Sequence, residues 1–412
     1  MKAFLVFVFA GLATVGSAEW VSIGPDGGNV MALAIDPNNS SRLLAIPYTY
    51  PDTPNVYVSE DSGANWQVAG RFGGLYPLCL AIDHHQPRRV YALGRSGLFL
   101  FSTDGGETWN SRPLSRFAYA LKPDPHIEGR VFACGYEVIG GNPVPVVFVS
   151  TDYGENWFRV IPDSQAISIQ AFSLAFDPNR SDLVWLGCNG ARVYRSEDGG
   201  TSWELRGSGL PENSTVQMIS VNPDNSSIVL AATSAGAYRT TDEGENWYQV
   251  EVPQAIMVDF PLTDGARGYA IGYNETTRAS AVFVSTDSGA TWSLAQPGIV
   301  LDKGSGFCSD PNVPLVAYVN NTRGVFRTVD GANNWSERHS GLRFAHISTI
   351  SVSPVDSGRV YLEFYENGVY KSLDGGNTWQ RCEDFLACGN ICGIGIAPNA
   401  GVDVLYALEG KG

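Results

Sequence analysis

The sequence predicts an all-β fold built from repeated four-stranded units, and three observations support this prediction. A phrase with a hydroxyl residue, an aspartate two positions later and a tryptophan five positions after the aspartate returns eight times. Successive aspartates of these phrases are 43 to 48 residues apart, a period typical of repeat architectures. Short runs rich in Val, Ile, Tyr and Phe lie between the phrases and end at Gly, Pro, Asp or Asn, which are strand signals.

Each unit contains four such runs in a fixed order. The first ends in an Asp-Pro turn or a relative of it, as in residues 30–37, and a second run such as 89–94 follows. The third run, for example 97–101, leads into the phrase, and the fourth begins at the tryptophan, as in 157–161. Four short antiparallel strands in about 45 residues, repeated around a ring, predict the blades of a β-propeller.

The repeated phrase lies between the third and fourth strands and is therefore predicted to be a hairpin turn. Its aspartate accepts hydrogen bonds from the turn, while its tryptophan buries apolar surface between blades. Eight equivalent carboxylates suit a scaffold, so we assign all of them a structural role. The aspartates are Asp61, Asp104, Asp152, Asp198, Asp242, Asp287, Asp330 and Asp374, and the tryptophans are Trp66, Trp109, Trp157, Trp203, Trp247, Trp292, Trp335 and Trp379.

The two ends of the chain bear on the predicted number of blades. Residues 20–23 match a fourth strand although no unit precedes them, so we expect this strand to complete the last blade. Residues 392–398 and 402–408 match the first and second strands of a ninth unit, which stops before its third strand. The prediction is therefore eight full repeats plus a partial ninth closed by the N-terminal strand, either truncated or closing with a three-stranded blade.

Composition and the N-terminus restrict location and partners. Lys2, the apolar run 3–13 and the small residues 16–18 predict a signal peptide over 1–18. The propeller would then occupy 19–412, in a protein that is secreted or periplasmic. The formal net charge of −15 argues against nucleic acid as a partner. No later stretch has enough consecutive apolar residues to span a bilayer, so no membrane insertion is expected in the mature chain.

The turn phrases resemble the Asp-box, or BNR repeat, whose pattern is Ser/Thr-x-Asp-x-Gly-x-x-Trp. Seven copies fit this pattern fully, and the copy at residues 328–335 has Ala332 at the glycine position. The resemblance covers almost the whole predicted mature chain and implies a β-propeller. It is weakly specific for function, because similar propellers occur in sialidases, xyloglucan-degrading glycoside hydrolases, sortilin-type sorting receptors and a photosystem II assembly factor. No cofactor and no metal site are predicted.

Binding residues are expected on the face opposite the Asp boxes, where longer loops are predicted at 47–55, 136–144 and 273–280. The connections between blades add recurring pairs of arginine and phenylalanine. Guanidinium groups beside aromatic rings suit sugar stacking and carboxylate capture, although such pairs also pack on a neighbouring blade. The candidate binding residues are Arg71, Phe72, Tyr76, Arg116, Phe117, Tyr119, Arg343, Phe344, Tyr136 and Tyr273.

These patterns favour a secreted, non-catalytic propeller that binds a glycan or an extracellular protein on this face. The alternatives are a glycoside hydrolase resembling the xyloglucanases, which carry tandem Asp-box propellers, and a sorting-receptor or assembly-factor role. A hydrolase needs two carboxyl groups across the scissile bond, and no spacing in the sequence singles out a pair. The acids assigned to connections between blades are Asp163, Glu212, Asp259, Asp302, Glu383 and Asp384.

Overall fold

The computed structural model describes most of the chain, and all regular structure in the described residues is β-strand. Contacts divide the chain into a larger unit, mainly residues 26–348, and a smaller unit, mainly 349–363 and 368–411. The described residues are 30–47, 55–72, 77–94, 97–115, 117–274, 279–295, 301, 306–321, 324–338, 347–352, 359–364, 368–374, 378–382, 391–399 and 402–409.

The larger unit contains seven four-stranded antiparallel sheets, which we number as blades 1 to 7 in chain order. Each blade uses four strands that are consecutive in the sequence, as the repeat predicts. The strands are β1 (Val30–Asp36), β2 (Asn39–Pro47), β3 (Asn55–Ser59) and β4 (Gln67–Arg71) in blade 1; β5 (Pro77–Ile82), β6 (Val90–Gly94), β7 (Leu98–Ser102) and β8 (Asn110–Pro113) in blade 2; β9 (Ala118–Pro123), β10 (Val131–Ile139), β11 (Asn142–Ser150) and β12 (Phe158–Val160) in blade 3; β13 (Ala171–Phe176), β14 (Val184–Cys188), β15 (Val193–Ser196) and β16 (Glu204–Leu205) in blade 4; β17 (Val216–Val221), β18 (Val229–Thr233), β19 (Gly236–Thr240) and β20 (Tyr248–Val250) in blade 5; β21 (Met257–Asp259), β22 (Gly268–Asn274), β23 (Ala279–Ser285) and β24 (Ser293–Leu294) in blade 6; and β25 (Gly306–Ser309), β26 (Ala317–Asn321), β27 (Gly324–Thr328) and β28 (Ser336–Glu337) in blade 7.

Two further sheets follow, and they fall mostly in the smaller unit. One is four-stranded and the other is a hairpin, whose strands coincide with the first two strands predicted for the ninth repeat. The strands are β29 (Ile347–Val352), β30 (Val360–Phe364), β31 (Gly368–Ser372) and β32 (Gln380–Arg381) in the four-stranded sheet, and β33 (Ile391–Asn399) and β34 (Val402–Glu409) in the hairpin.

The seven blades of the larger unit close into a ring. The first strands of consecutive blades contact one another, and the first strand of blade 7 contacts that of blade 1 in the same way. The side-chain amide of Asn312 in blade 7 donates to the carbonyl of Pro37 in blade 1 at 3.1 Å. The equivalent bond between blades 1 and 2 runs from Asn38 to the carbonyl of His84 at 2.7 Å. Blade 7 therefore meets blade 1 as one blade meets the next.

The prediction of eight full blades plus a partial ninth is accordingly wrong, since this propeller has seven blades. Side chains of blade 1, including Leu43 and Trp66, share one apolar cluster with Tyr318 and Val325 of blade 7. The repeat determines the type of blade, whereas ring size depends on the angle between packed sheets, which local periodicity does not encode. The strand predicted at residues 20–23 lies outside the described residues.

The Asp boxes form the predicted turns. In blade 3, the Ser150 hydroxyl donates to Asp152 at 2.8 Å and accepts the backbone N–H of Gly154 at 2.8 Å. Asp152 also accepts the backbone and side-chain N–H groups of Asn156, at 2.8 and 2.7 Å. The hydroxyl-to-aspartate bond is present in all eight boxes. The carboxylates are therefore occupied by hydrogen bonds within their own turns.

Several tryptophans of the boxes pack on the preceding blade. The Trp66 indole N–H donates to the carbonyl of Arg338 at 2.8 Å, and Trp247 donates to Arg206 at 2.6 Å. Trp157 meets the ring of Phe99 edge-on, with centroids 5.1 Å apart. These three tryptophans thus join the outer parts of their own blades to the blades before them.

Candidate functional site

The propeller presents two different faces. The turns between first and second strands lie on the same face as the Asp boxes, since Arg42 of blade 1 donates to Gly105 in the box of blade 2 at 3.2 Å. The opposite face, called the loop face below, carries the second-to-third hairpins and the connections between blades. In blade 3 these two segments meet, because the backbone N–H of Tyr136 donates to the carbonyl of Phe117 at 3.2 Å.

Four aromatic rings form a continuous ladder on the loop face, across the inner ends of blades 3 and 4. Phe117 and Tyr136 stack with centroids 4.3 Å apart and an interplanar angle of 15°. Tyr119 lies 5.9 Å from Tyr136 and stacks on Phe172 at 5.1 Å and 10°. Tyr119 is 38% exposed. These four residues, Phe117, Tyr136, Tyr119 and Phe172, are called the aromatic ladder below.

Local backbone structure explains how the aromatic ladder forms. Tyr119 follows the buried Ala118 in β9, so strand alternation turns its ring away from the blade core. Gly135 pairs with Ala118 at a point where the pairing register of strands β9 and β10 shifts. A Cβ at Gly135 would lie 1.9 Å from the carbonyl oxygen of Phe117. A side chain is therefore excluded there, and the close approach allows Tyr136 to stack on Phe117.

Residues 136–144 form a regular hairpin and not the loop that the sequence suggested. Strands β10 and β11 remain paired out to Ile139 and Asn142. Gly140 and Gly141 make the two-residue turn with φ of +60° and +86°, as expected for a tight hairpin. The hairpin projects from the loop face and leaves Val138 56% and Ile139 42% exposed.

Ion pairs occupy the acidic side chains near the ladder. Glu137 pairs with Arg159 at 2.7 Å. Asp163, in the connection between blades 3 and 4, pairs with Arg192 at 3.2 Å and accepts the Tyr194 hydroxyl at 3.3 Å. Burial raises the pKa of Tyr194 to about 12, so it acts as a hydroxyl donor at neutral pH.

Of the acids named for a hydrolase, Asp163, Glu212 and Asp259 lie in described residues, and they have different surroundings. Glu212 is exposed in the connection between blades 4 and 5. Asp259 belongs to strand β21, so its assignment to a connection was incorrect. The short apolar run around it did not reveal that the strand continues through the aspartate. Asp302, Glu383 and Asp384 lie outside the described residues.

The other candidate binding residues have different surroundings. Phe72 is 2% exposed and packs against Trp109 at 4.3 Å, so it belongs to the core between blades 1 and 2. Arg71 is exposed at the end of β4. Tyr273 is half-buried in β22, where its N–H donates to Pro253 at 2.8 Å. Tyr76, Arg116, Arg343 and Phe344 lie outside the described residues. Phe172 was not predicted, although it follows Ala171 in β13 as Tyr119 follows Ala118 in β9, and this equivalent repeat position was a usable signal.

The described part of the chain contains no group of three or more His, Cys, Asp or Glu side chains placed to hold a metal ion. It also contains no helix long and apolar enough to cross a membrane.

Fold and boxes together define the class of protein: the chain is a β-propeller of Asp-box (BNR) repeats. The family model "BNR/Asp-box repeat" matches residues 100–111, and the model "Sortilin, neurotensin receptor 3" matches residues 191–300. A xyloglucanase from Paenibacillus sp is 27% identical over 225 residues, which are 52% of this chain and 21% of that protein. The photosystem II assembly protein Ycf48 from Synechococcus sp. (strain JA-3-3Ab) is 23% identical over 264 residues, covering 63% of this chain and 74% of the relative.

Solved structures with the same fold come from both groups of relatives. The xyloglucanase of family GH74 from Xanthomonas campestris has a TM-score of 0.66 at 15% identity, covering 90% of this chain and 70% of the enzyme. An ancestral GH74 enzyme has a TM-score of 0.71 at 16% identity, with coverages of 96% and 60%. YCF48 bound to a D1 peptide has a TM-score of 0.52 at 16% identity, with coverages of 74% and 94%. At 15–16% sequence identity, the similarity to these solved structures shows a shared fold only.

Proposed function

We propose that the loop face binds a polysaccharide chain without cleaving it, with the aromatic ladder as the binding platform. The observation that carries this proposal is the row of four rings, in which Tyr119 is exposed. An aromatic face or edge offers sugar C–H groups a large apolar contact at little conformational cost. The hairpin of β10 and β11 projects from the loop face beside the aromatic ladder and would border the bound chain on one side.

Polar groups beside the ladder suit sugar hydroxyls. Arg159 is half-exposed and forms an ion pair with Glu137. Arg192 is partly exposed and forms an ion pair with Asp163. At an exposed rim, guanidinium N–H groups can donate hydrogen bonds to sugar hydroxyls, and carboxylate oxygens can accept them. Neither group has to lose much of its hydration to do so. Because each acid already has a cationic partner, these pairs serve hydrogen bonding better than proton transfer. The xyloglucanase relatives make xyloglucan the first polysaccharide to test.

Affinity electrophoresis in gels with and without xyloglucan tests the proposal. The protein should be retarded by xyloglucan, and Tyr119→Ala should weaken binding about tenfold, the equivalent of about 1.4 kcal/mol. Tyr248→Ala is the matched control, because Tyr248 is 64% exposed on the outer strand of blade 5, away from the ladder. Equal retardation of both variants would refute the ladder as the platform.

A second candidate function is hydrolysis of the bound chain. It is favoured by the xyloglucanase relatives together with the four-stranded sheet β29 to β32, which is a separate sheet from the seven blades. Release of reducing sugar from xyloglucan by the purified full chain would demonstrate hydrolysis and overturn the non-catalytic proposal. The Ycf48 relatives support a protein partner in place of a glycan, and retention of a protein by the wild type but not by Tyr119→Ala would favour that partner.

A further inference from the structure

Arginine recurs directly before the apolar run of the second strand in four of the seven blades. Three of these arginines pair with an aspartate three or six positions earlier, namely Arg42 with Asp36 at 3.1 Å, Arg130 with Asp124 at 2.6 Å and Arg267 with Asp264 at 3.7 Å. The fourth is Arg89 of blade 2. No carboxylate oxygen of the described residues lies within 4.0 Å of its guanidinium. Blade 2 therefore has a repeat arginine without the ion pair that the other three form.

A hydroxyl group of the same blade explains why Arg89 lacks this ion pair. Asp83 stands six positions before Arg89, as Asp36 stands before Arg42. Its Oδ2 accepts the hydroxyl of Tyr91 at 2.9 Å, and its Oδ1 accepts two backbone N–H groups of its own turn. Blades 1 and 3 have leucine and phenylalanine where blade 2 has Tyr91, and neither can donate. Tyr91 thus occupies the carboxylate that would otherwise bind the arginine.

Contacts from two blades hold the Arg89 guanidinium in one orientation. Its Nε donates to Oε1 of Gln86 at 3.1 Å, and its central carbon lies 4.1 Å from the ring centroid of Tyr153 in blade 3. Tyr153 and Gln86 are themselves fixed, because both donate to Glu128, at 2.5 and 2.8 Å. These contacts leave the two terminal nitrogens of Arg89 with their donors available. A guanidinium fixed in this way loses little freedom when it binds an anion.

A cavity of about 280 Å³ lies beside Arg89 on the Asp-box face of blade 2. Its described lining contains no acid and consists of Gln86, Pro87, Arg88, Arg89 and Thr103. Arg88 is exposed, donates to the carbonyl of Asp104 at 2.8 Å and lies 3.6 Å from the exposed Glu107. Thr103 is exposed within the Asp box. Two guanidinium groups and a hydroxyl therefore border one cavity.

We propose that this cavity binds the tetrahedral oxyanion of a sulfate or phosphate monoester. The terminal nitrogens of Arg89 donate to the oxyanion, and Arg88 and the Thr103 hydroxyl add donors from other directions. Donors that converge from separate side chains suit a tetrahedral anion, whereas a carboxylate is matched by the planar fork of a single arginine. Glu107 competes with the oxyanion for Arg88. The site does not depend on glycan binding at the aromatic ladder, because it lies on the other face of the propeller.

Calorimetric titration of the full chain with glucose 6-sulfate, glucose 6-phosphate and acetate at constant ionic strength tests this site. At least one ester should bind tenfold or more tightly than acetate, and Arg89→Met should weaken that binding at least tenfold. Glu107→Gln should strengthen it, because the competing carboxylate is removed. Arg180→Met is the matched control, since Arg180 is exposed on the equivalent turn of blade 4 and pairs with Asp182 at 3.3 Å.

The outcomes of this titration decide between the alternatives. Failure of both esters to bind, acetate binding of equal affinity or unchanged binding by Arg89→Met would overturn the proposal. Weaker binding by Glu107→Gln would overturn the placement of the oxyanion at Arg88. Preference for the sulfate ester would identify a sulfated saccharide as the source of the group, and preference for the phosphate ester would identify a phosphorylated sugar. Equal affinity would show that the oxyanion alone is recognised.

Two further measurements keep the test valid if Arg89→Met does not fold. Tyr91→Phe retains both arginines but frees Oδ2 of Asp83 to pair with Arg89, so the affinity for the ester should fall several-fold. In the wild type, the ester should protect Arg88 and Arg89 from phenylglyoxal several-fold more than the other arginines, as read by peptide mass spectrometry. Absence of selective protection would overturn the site, and unchanged affinity of Tyr91→Phe would overturn the role of Tyr91.

Discussion

Gly154 and Gly141 have the same backbone conformation in different surroundings, so they separate backbone strain from steric overlap. Their φ values are +85° and +86°. A Cβ at Gly154 would lie 2.3 Å from Cε1 of Phe99 on the preceding blade, whereas a Cβ at Gly141 has no atom within 4 Å. A left-handed φ costs a residue with a side chain about 1–2 kcal/mol, and the lower chain entropy of alanine offsets about 0.5–1 kcal/mol of this.

Gly141→Ala should therefore lower the free energy of unfolding by about 0.5–1 kcal/mol. Gly154→Ala should lower it by about 1.5–4 kcal/mol, because displacing the ring of Phe99 adds about 1–3 kcal/mol of overpacking. Urea denaturation followed by tryptophan fluorescence measures both values, since every blade contributes a box tryptophan. The comparison is made between the two variants in one buffer. A difference below 0.5 kcal/mol would refute the view that box glycines are required by the close approach of the preceding blade.

Three further predictions follow from the boxes and the blade interfaces. Partial burial raises the pKa of Asp104, but hydrogen bonds within its turn outweigh this and bring it to about 2. Because this value is below the usual 3.8, stability from Asp104 is present above pH 4 and should be lost between pH 4 and 2; Asp104→Asn should reduce that acid-dependent loss, and an unchanged acid profile would contradict it. Trp66→Ala should destabilise the propeller by about 3–5 kcal/mol, because it removes a buried ring at the junction of blades 1 and 7; a loss below 1 kcal/mol in thermal unfolding would argue against closure there. Burial raises the pKa of the Cys134 and Cys188 thiols, so native protein should resist iodoacetamide at pH 8 at both positions and react after denaturation; native labelling would show that these strands open readily.

The sequence was sufficient for the type of blade and insufficient for the size of the ring. Each box contains its own hydrogen-bond partners, as in Ser150 and Asp152, so eight residues are enough to recognise the turn. Closure depends on contacts such as Asn312 with Pro37, which are 275 residues apart. No local pattern distinguishes a seventh blade that meets the first from one that meets an eighth.

The candidate site could be predicted only in part for a similar reason. Phe117, Tyr119 and Tyr136 were selected for aromatic character near loops, and the structure brings them together. Phe72 had the same signal but packs on Trp109, because burial is decided by the neighbouring blade.

Closure through repeated contacts gives the ring an approximate sevenfold rotational symmetry without a distinct seam. Every described strand of blades 1 and 7 is supplied by its own contiguous segment, and their interface reproduces the interfaces between consecutive blades. The connection between any two blades is therefore equivalent as a place to open the ring. Circular permutants that join blade 7 to blade 1 by a short linker and begin at blade 3 or blade 5 should retain the fold and the aromatic ladder.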